Sequence, residues 1–415
     1  MRFRNTILVA AVAALAAAGL GAQPILNAGS QSPFKLARTP GGNFVLAEGG
    51  TGVNDGRVSL LSIWGDRFNL LGGLPSGKTP QGESLGPTAV ADAHSTLYIV
   101  IGEGDILGQG AAGQQVPNPN GLSSPIFSSV IRARFTPVPD GIRTGFELSA
   151  ADISALADGK EISLQNDAGE QVQLLVLADF PDLIPDPRLR VRNSNPFAAA
   201  IAGSLTSEDL TELGFQGVPL ADANFFARLN WDTPIGRRLE ERSKIYIVNA
   251  GMNTITEVAA STGRSRVITR FPPVTNTLFP GLGGPVTDPV PTSIFVRADG
   301  TFLVTILGGF PFAPGSAKVY SVDPTSGAFT PLIEGLTSAT NVIEVGGAIY
   351  VLEISSDLRA RTPGRLLRFA SPSAVPTVVA SELIGPTGLA HETTRNELLV
   401  SETFTGLIKR IALTP

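Results

Sequence analysis

GPTGLAHETTRNELLVSETFTGLIKRIAL, residues 385–413, is the stretch whose reading decides the fold. A Gly-Pro opening leads into a short apolar run, a polar turn at Thr393–Asn396, and a second apolar run ending on Glu402. Gly406 and a third alternating run follow. Short apolar runs bounded by turn formers read as β-strands, so this segment is a three-stranded meander.

The same unit recurs along the chain. VPTSIFVRADGTFLVTI from Val290 continues into GSAKVYSVDPTSG. TNVIEVGGAIYVLEISS from Thr340 continues into GRLLRFA. SPFKLARTPGGNFVLAEGGTG from Ser32 continues into GRVSLLS, and GPTAVADAHSTLYIVIGEG starts at Gly86. A sixth copy is split: SNPFAAAI supplies its opening and KIYIVNAGMNTITEVAASTG the rest. The second strands are anchored at Val45, Tyr98, Tyr246, Leu303, Tyr350 and Leu399, and four of the five spacings fall between 47 and 57 residues. That length suits four short strands with turns. Both faces of the second strands are apolar, as in a sheet packed between two neighbours. Repeated sheets with two apolar faces bury both only by closing into a ring or extending as an array. The expected fold is therefore all-β: a six-bladed β-propeller of four-stranded antiparallel blades.

The long step from Tyr98 to Tyr246 requires an irregular insertion within 104–243. In it LTSEDLTELGF (205–215) reads as a short helix and EISLQNDAGEQVQLLVLA (161–178) as a hairpin. The last unit lacks an outer strand, while ILNAGSQSPFKLA (25–37) matches VVASELIGPTGLA (378–390) in pattern. Ile25 to Ala28 is thus expected to complete the last blade, pairing with the strand that ends near Leu413 and removing an open edge.

Composition narrows the chemistry. With 46 Gly, 32 Pro, 16% charged and 43% hydrophobic residues, the chain suits many turns between half-buried strands rather than disorder. No cysteine is present, which excludes disulfides, thiolate metal sites and a Cys nucleophile. A net charge of −5 without a basic cluster argues against nucleic acid as partner. Arg2 and Arg4, the apolar run Ile7–Leu20 and the small residues Gly21 and Ala22 read as a signal peptide over 1–22. That predicts an exported chain, periplasmic or extracellular, with 23–415 as one propeller domain, no membrane span in the mature part, and a monomeric state.

FVLAEGGTG, LGGLPSG, LYIVIGEG, SNPF, IYVLEI and GPTGLA, together with GFPF (309–312) and GSAKVYSV (315–322), resemble the ScyD/ScyE family. These are exported bacterial propellers named after the cyanobacterial scytonemin pigment cluster. The likeness covers most of 33–101 and 244–412, and the GFPF–GSAKVYSV block is its most specific part. It implies an exported propeller with NHL-like repeats and no established reaction. Between Gly104 and Ser243 the chain departs from the family, which puts a shared ligand site near those blades in doubt.

Glu48, Asn249, Glu353 and Glu402 each follow a second-strand anchor by three residues, so all four are presented toward one end of the propeller. Such oxygens suit a hard cation such as calcium; the alternative is that each binds backbone N–H groups of its own turn. Asn195, Thr292, Asn341 and Thr387 open first strands and lie nearer the channel mouth. Phe310 and Phe312 sit in a Pro/Gly loop suited to an apolar ligand or partner. GGLPSGKT (72–79) matches the phosphate-loop pattern, but Pro80 follows at once where a helix should begin, so it reads as a turn. His94 and His391 occupy the opposite turn and read as surface residues. There is no Gly-x-Ser-x-Gly elbow, and a hydrolytic triad is not expected.

Three functions remain. One is a non-catalytic exported propeller that binds a protein, glycan or small molecule on one face, with no cofactor. Another is a calcium-dependent lactonase-like hydrolase with its metal in the central channel. The third is an accessory role in secondary-metabolite or envelope processes, by family analogy.

Overall fold

The computed structural model describes residues 23–80, 82–109, 115–186, 190–215, 217–222, 233–276, 281 and 284–413. The proposed signal peptide, 1–22, lies outside the described residues. Six antiparallel sheets form the ring, and we number their blades I–VI from the N-terminus. Their innermost strands are Pro33–Arg38, Pro87–Ala93, Pro196–Ala202, Pro291–Val296, Ala339–Val345 and Pro386–Glu392. Their second strands are Phe44–Glu48, Thr96–Ile101, Lys244–Asn249, Phe302–Ile306, Ala348–Glu353 and Glu397–Glu402.

The six anchors all lie on these second strands and share one register. Val45 pairs with Ala37, Tyr98 with Ala91, Tyr246 with Ala200, Leu303 with Phe295, Tyr350 with Ile343, and Leu399 with Ala390. Because side chains alternate along a strand, each second strand serves two interfaces. In blade V, Ile349 and Val351 pack against blade IV, while Tyr350 and Leu352 pack against blade VI. One apolar core fills each of the six junctions between successive blades. The core is thus a ring of inter-blade seams, which is why both faces of these strands had to be apolar.

Ring closure follows the expected route. Ile25–Asn27 forms the outer strand of blade VI, pairing antiparallel with Leu407–Ala412 through Ile25 opposite Lys409 and Asn27 opposite Ile408. Arg410 N donates to Pro24 O at 2.8 Å, and Ser30 N to Gly406 O at 3.1 Å. Removing residues 23–28 strips this strand and leaves Leu407–Ala412 as an unpaired edge. The truncated chain is expected to melt several degrees lower and to form concentration-dependent dimers on size exclusion. An unchanged melting point and elution volume would show the closing strand to be dispensable.

The insertion is more regular than its sequence suggested. Ser129–Thr136 is the third strand of blade II and Gln171–Asp179 its outer strand; Ile162–Gln165, the other arm of the expected hairpin, adds a fifth. Phe146–Glu147 adds a parallel fifth strand to blade I. The expected helix is present as Ser207–Glu212. Among the described helices, Ala150–Ala157, with a Ser149/Asp152 capping box, and Pro234–Arg242, which starts with Pro at N1, were missed. Ser207–Glu212 and Pro234–Arg242 both sit between the first and second strands of blade III. Asp209 fastens them by accepting from Arg242 at 2.8 Å, and Glu240 ties them to blade II through Arg134 at 2.9 Å.

Candidate functional site

The front face of the ring is where first strands begin and second strands end. It carries the loops from second to third strands and the links between blades. These are unequal. Links IV–V and V–VI are the two-residue turns 337–338 and 384–385. Short hairpins rise instead at I–II (77–78 with 84–85), II–III (183–186 with 190–193) and III–IV (274–275 with 286–287), with a fourth, 107–109 with 115–117, on blade II. The added hairpins therefore cluster over blades I–IV, while blade V contributes the front-face loop 354–363. The GGLPSGKT segment supplies part of the first of these hairpins, and among the described residues no helix follows it directly.

Glu48, Asn249, Glu353 and Glu402 all end their second strands at the front face, as the repeat implied. Each is turned into its own blade. Glu48 accepts from Gln31 N at 2.6 Å and from Arg67 Nη1 at 2.6 Å, and also from Ser59 Oγ. Glu353 accepts from Thr337 N at 2.6 Å and Arg365 Nε at 2.5 Å. Glu402 accepts from Ile384 N at 2.8 Å and pairs with Lys409 at 2.7 Å. The Asn249 Oδ1 accepts from Asn195 N and Met252 N, each at 3.0 Å. The common partner is a backbone N–H just ahead of the first strand, so each side chain closes the turn leading into its own blade. The ring does not bring the four together, and among the described residues no three His, Cys, Asp or Glu side chains cluster as a metal site would require.

A second ring lies at the start of the first strands. Thr88, Thr292, Thr340 and Thr387 each donate their hydroxyl to the carbonyl of the residue that opens the next first strand: Pro196, Ala339, Pro386 and Pro33, at 2.9, 2.9, 3.0 and 3.3 Å. These bonds lace adjacent blades around the mouth. Blades I and III carry Phe34 and Phe197 at this position. The two rings meet edge to face at 5.8 Å, in the geometry aromatic quadrupoles favour.

Beneath the pair lies Lys35, 6% exposed. Its ammonium donates to the carbonyls of Thr340 at 2.7 Å and Thr387 at 2.8 Å, and sits 5.1 Å from the centre of the Phe197 ring. A single side chain of blade I thus reaches blades III, V and VI. Burial lowers its pKa to about 7. Gly388 makes room in the same layer, since a Cβ there would collide with Phe34 O. Below Lys35 a channel cavity of about 260 Å³ runs between the first strands, with Asn341 and Ser293 near this end and Arg38 and Asp92 at the other.

Of the other sequence candidates, Asn341 lines the channel and donates to Thr387 O at 3.3 Å. Asn195 lies at the II–III junction, where its side chain meets Glu103 at 3.4 Å. Burial, reinforced by the charge of Glu83, pushes the Glu103 carboxyl up to about 7. Phe310 is 54% exposed and stacks edge to face with Phe312 at 6.1 Å on blade IV, beside the III–IV hairpin, where Thr287 donates to Phe310 O. The structure does not gather these four residues into one pocket. His94 and His391 lie on the back face, His391 beside Asn396 at 3.2 Å. Sequence reading passed over Lys35 and Glu103. A lysine within an otherwise apolar first strand was the visible signal for Lys35; nothing local marked Glu103.

No family model and no curated protein matches the chain. Among solved structures it is similar to a putative oxidoreductase (glucose dehydrogenase) of Thermus thermophilus, at 12% identity and a TM-score of 0.47, over 94% of this chain and 98% of that one. It is also similar to an auxiliary nutrient binding protein of Bacteroides thetaiotaomicron, at 7% identity and a TM-score of 0.44, over 92% of this chain and 69% of that one. A PQQ-bound aldose sugar dehydrogenase of Streptomyces coelicolor follows at 11% identity and a TM-score of 0.41, over 94% and 96%. The propeller assignment rests on the chain's own sheet order, and these similarities add nothing to the site.

Proposed function

We propose that this chain is an exported, non-catalytic binding propeller of the ScyD/ScyE kind that captures its partner on the front face. The observation that carries the reading is the group of hairpins over blades I–IV, ending at the exposed Phe310 and the half-buried Phe312. Loops held by a rigid scaffold are where recognition is usually placed, and an exposed aromatic ring supplies area at little conformational cost. The signal-peptide pattern of 1–22 and the family resemblance support export, and the exposed Phe310 supports a small molecule, glycan or protein as partner. On this reading the front-face carboxylates are structural and no metal is needed.

The test uses the apolar dye 1-anilinonaphthalene-8-sulfonate with the folded chain. Dye fluorescence is expected to fall at least several-fold in the double variant Phe310→Ser/Phe312→Ser with the melting point unchanged. Equal fluorescence would remove the aromatic loop from the binding surface. Melting curves in calcium and in chelator are expected to coincide. A calcium-dependent shift would instead favour the lactonase-like hydrolase.

A further inference from the structure

Among the described residues Lys35 is the one buried lysine, and no carboxylate pairs with it. Holding an ammonium away from water without a counter-charge is costly, which favours the free amine. A free amine has two N–H donors and one lone pair. The carbonyls of Thr340 and Thr387, at 2.7 and 2.8 Å, take both donors and fix the nitrogen in place. Its polar neighbour Asn341 is occupied by Thr387 O and Val342 N, so the lone pair is left uncommitted.

The lysine borders the channel cavity of about 260 Å³. Paired strands place Ala89, Ala198, Ser293, Asn341 and Gly388 at the level of Lys35 in the other five blades. All five are short, which leaves room around the amine. The wall is polar, because each first strand is the inner edge of its sheet and presents unpaired backbone groups to the axis. Larger apolar side chains such as Leu36, Val90 and Val342 turn away into the inter-blade cores. The Phe34–Phe197 pair covers the front end, while Arg38 and Asp92 stand at the back, roughly 10 Å along the strands.

We propose that Lys35 is a covalent capture site for a small polar aldehyde or hydroxyketone that enters the channel from the back face. The amine nitrogen adds to the carbonyl carbon, and the resulting carbinolamine loses water to give a C=N bond. The carbonyl oxygen leaves in that water with both amine hydrogens, and hydrolysis reverses the step. On taking up a proton the imine keeps one N–H for one of the two backbone carbonyls. No oxidant or reductant takes part and nothing turns over, so the step is a form of binding. Buried lysines are the usual partners in such chemistry. The volume and polar wall suit a short hydroxylated ligand. The site is independent of the front-face loop, so the Phe310→Ser/Phe312→Ser variant leaves it intact.

Glycolaldehyde with cyanoborohydride at neutral pH, followed by peptide mass spectrometry, tests this on the folded chain. Lys35 is expected to be alkylated at least tenfold faster than the exposed Lys78 and Lys160. The bulky 1-naphthaldehyde is expected to leave Lys35 unmodified. Ala200→Phe, which narrows the channel, should slow the glycolaldehyde reaction of Lys35 at least tenfold; Ala200→Leu, a smaller intrusion, serves if the Phe variant does not fold. Lys35 reacting no faster than the two exposed lysines would overturn the proposal. So would naphthaldehyde labelling Lys35 as fast as glycolaldehyde does, or a folded Ala200 variant with an unchanged rate.

Discussion

Replacing Lys35 by Met is expected to abolish most of a rise in stability that the wild-type chain shows between pH 7 and pH 10.5. The sign follows from proton linkage. Burial lowers the Lys35 pKa from 10.5 to about 7, so across that window the unfolded chain holds a proton that the folded chain has released. Stability therefore climbs as pH rises from 7 to 10.5 and is flat, with respect to this group, below 7. The full span is on the order of 5 kcal/mol, an upper bound because two carbonyls and the Phe197 ring also favour the cation. Urea unfolding of wild type and Lys35→Met at a series of pH values measures it, and contributions from the other lysines and tyrosines cancel in the difference. Parallel curves would mean that the two carbonyls and the Phe197 ring offset the effect of burial on the ammonium.

The second large effect concerns Glu48. Glu48→Leu keeps the volume but removes the carboxylate that Arg67, Ser59 and the Gln31 N–H donate to inside blade I, leaving Arg67 only Ser59 Oγ and Gly29 O. Removing one member of a buried pair costs about 3–5 kcal/mol, because the other stays buried and unpaired. A loss of that size, equal with calcium and with chelator, is the expected outcome of denaturant titration. A loss seen only in calcium would return this carboxylate to the role of a metal ligand.

Glu48 also shows what could be read from the residues alone. The repeat placed it at the front face together with Asn249, Glu353 and Glu402, since strand parity fixes which end of a meander a residue occupies. Parity does not say whether a side chain turns toward the axis or back into its sheet. Here the backbone N–H groups ahead of the first strands decide that. The six anchors and the closing strand were legible because every junction needs the same alternation of apolar residues. Blade II was legible only in part: the 161–178 hairpin was read as strands, but its place in the blade and the third strand Ser129–Thr136 were not, because both are separated from their repeat by a long excursion and carry polar residues on alternate positions. The Ser149/Asp152 capping box and Gly159 could have revealed the helix between them. Lys35 was hidden for another reason: its partners are carbonyls of Thr340 and Thr387, more than 300 residues away, and no local pattern announces them.

The pairing of Ile25–Asn27 with Leu407–Ala412 has a consequence in time. The first strand to be made must wait for the last before it has a partner. Until then the growing chain holds up to five blades with an apolar flank at each end, and no local event can cover them. Contacts between residues so distant in the chain form slowly, and waiting edges are the places where nascent chains associate wrongly. The final joining step therefore needs a complete chain: one cut short before Leu407–Ala412 leaves Ile25–Asn27 without its partner and the ring open.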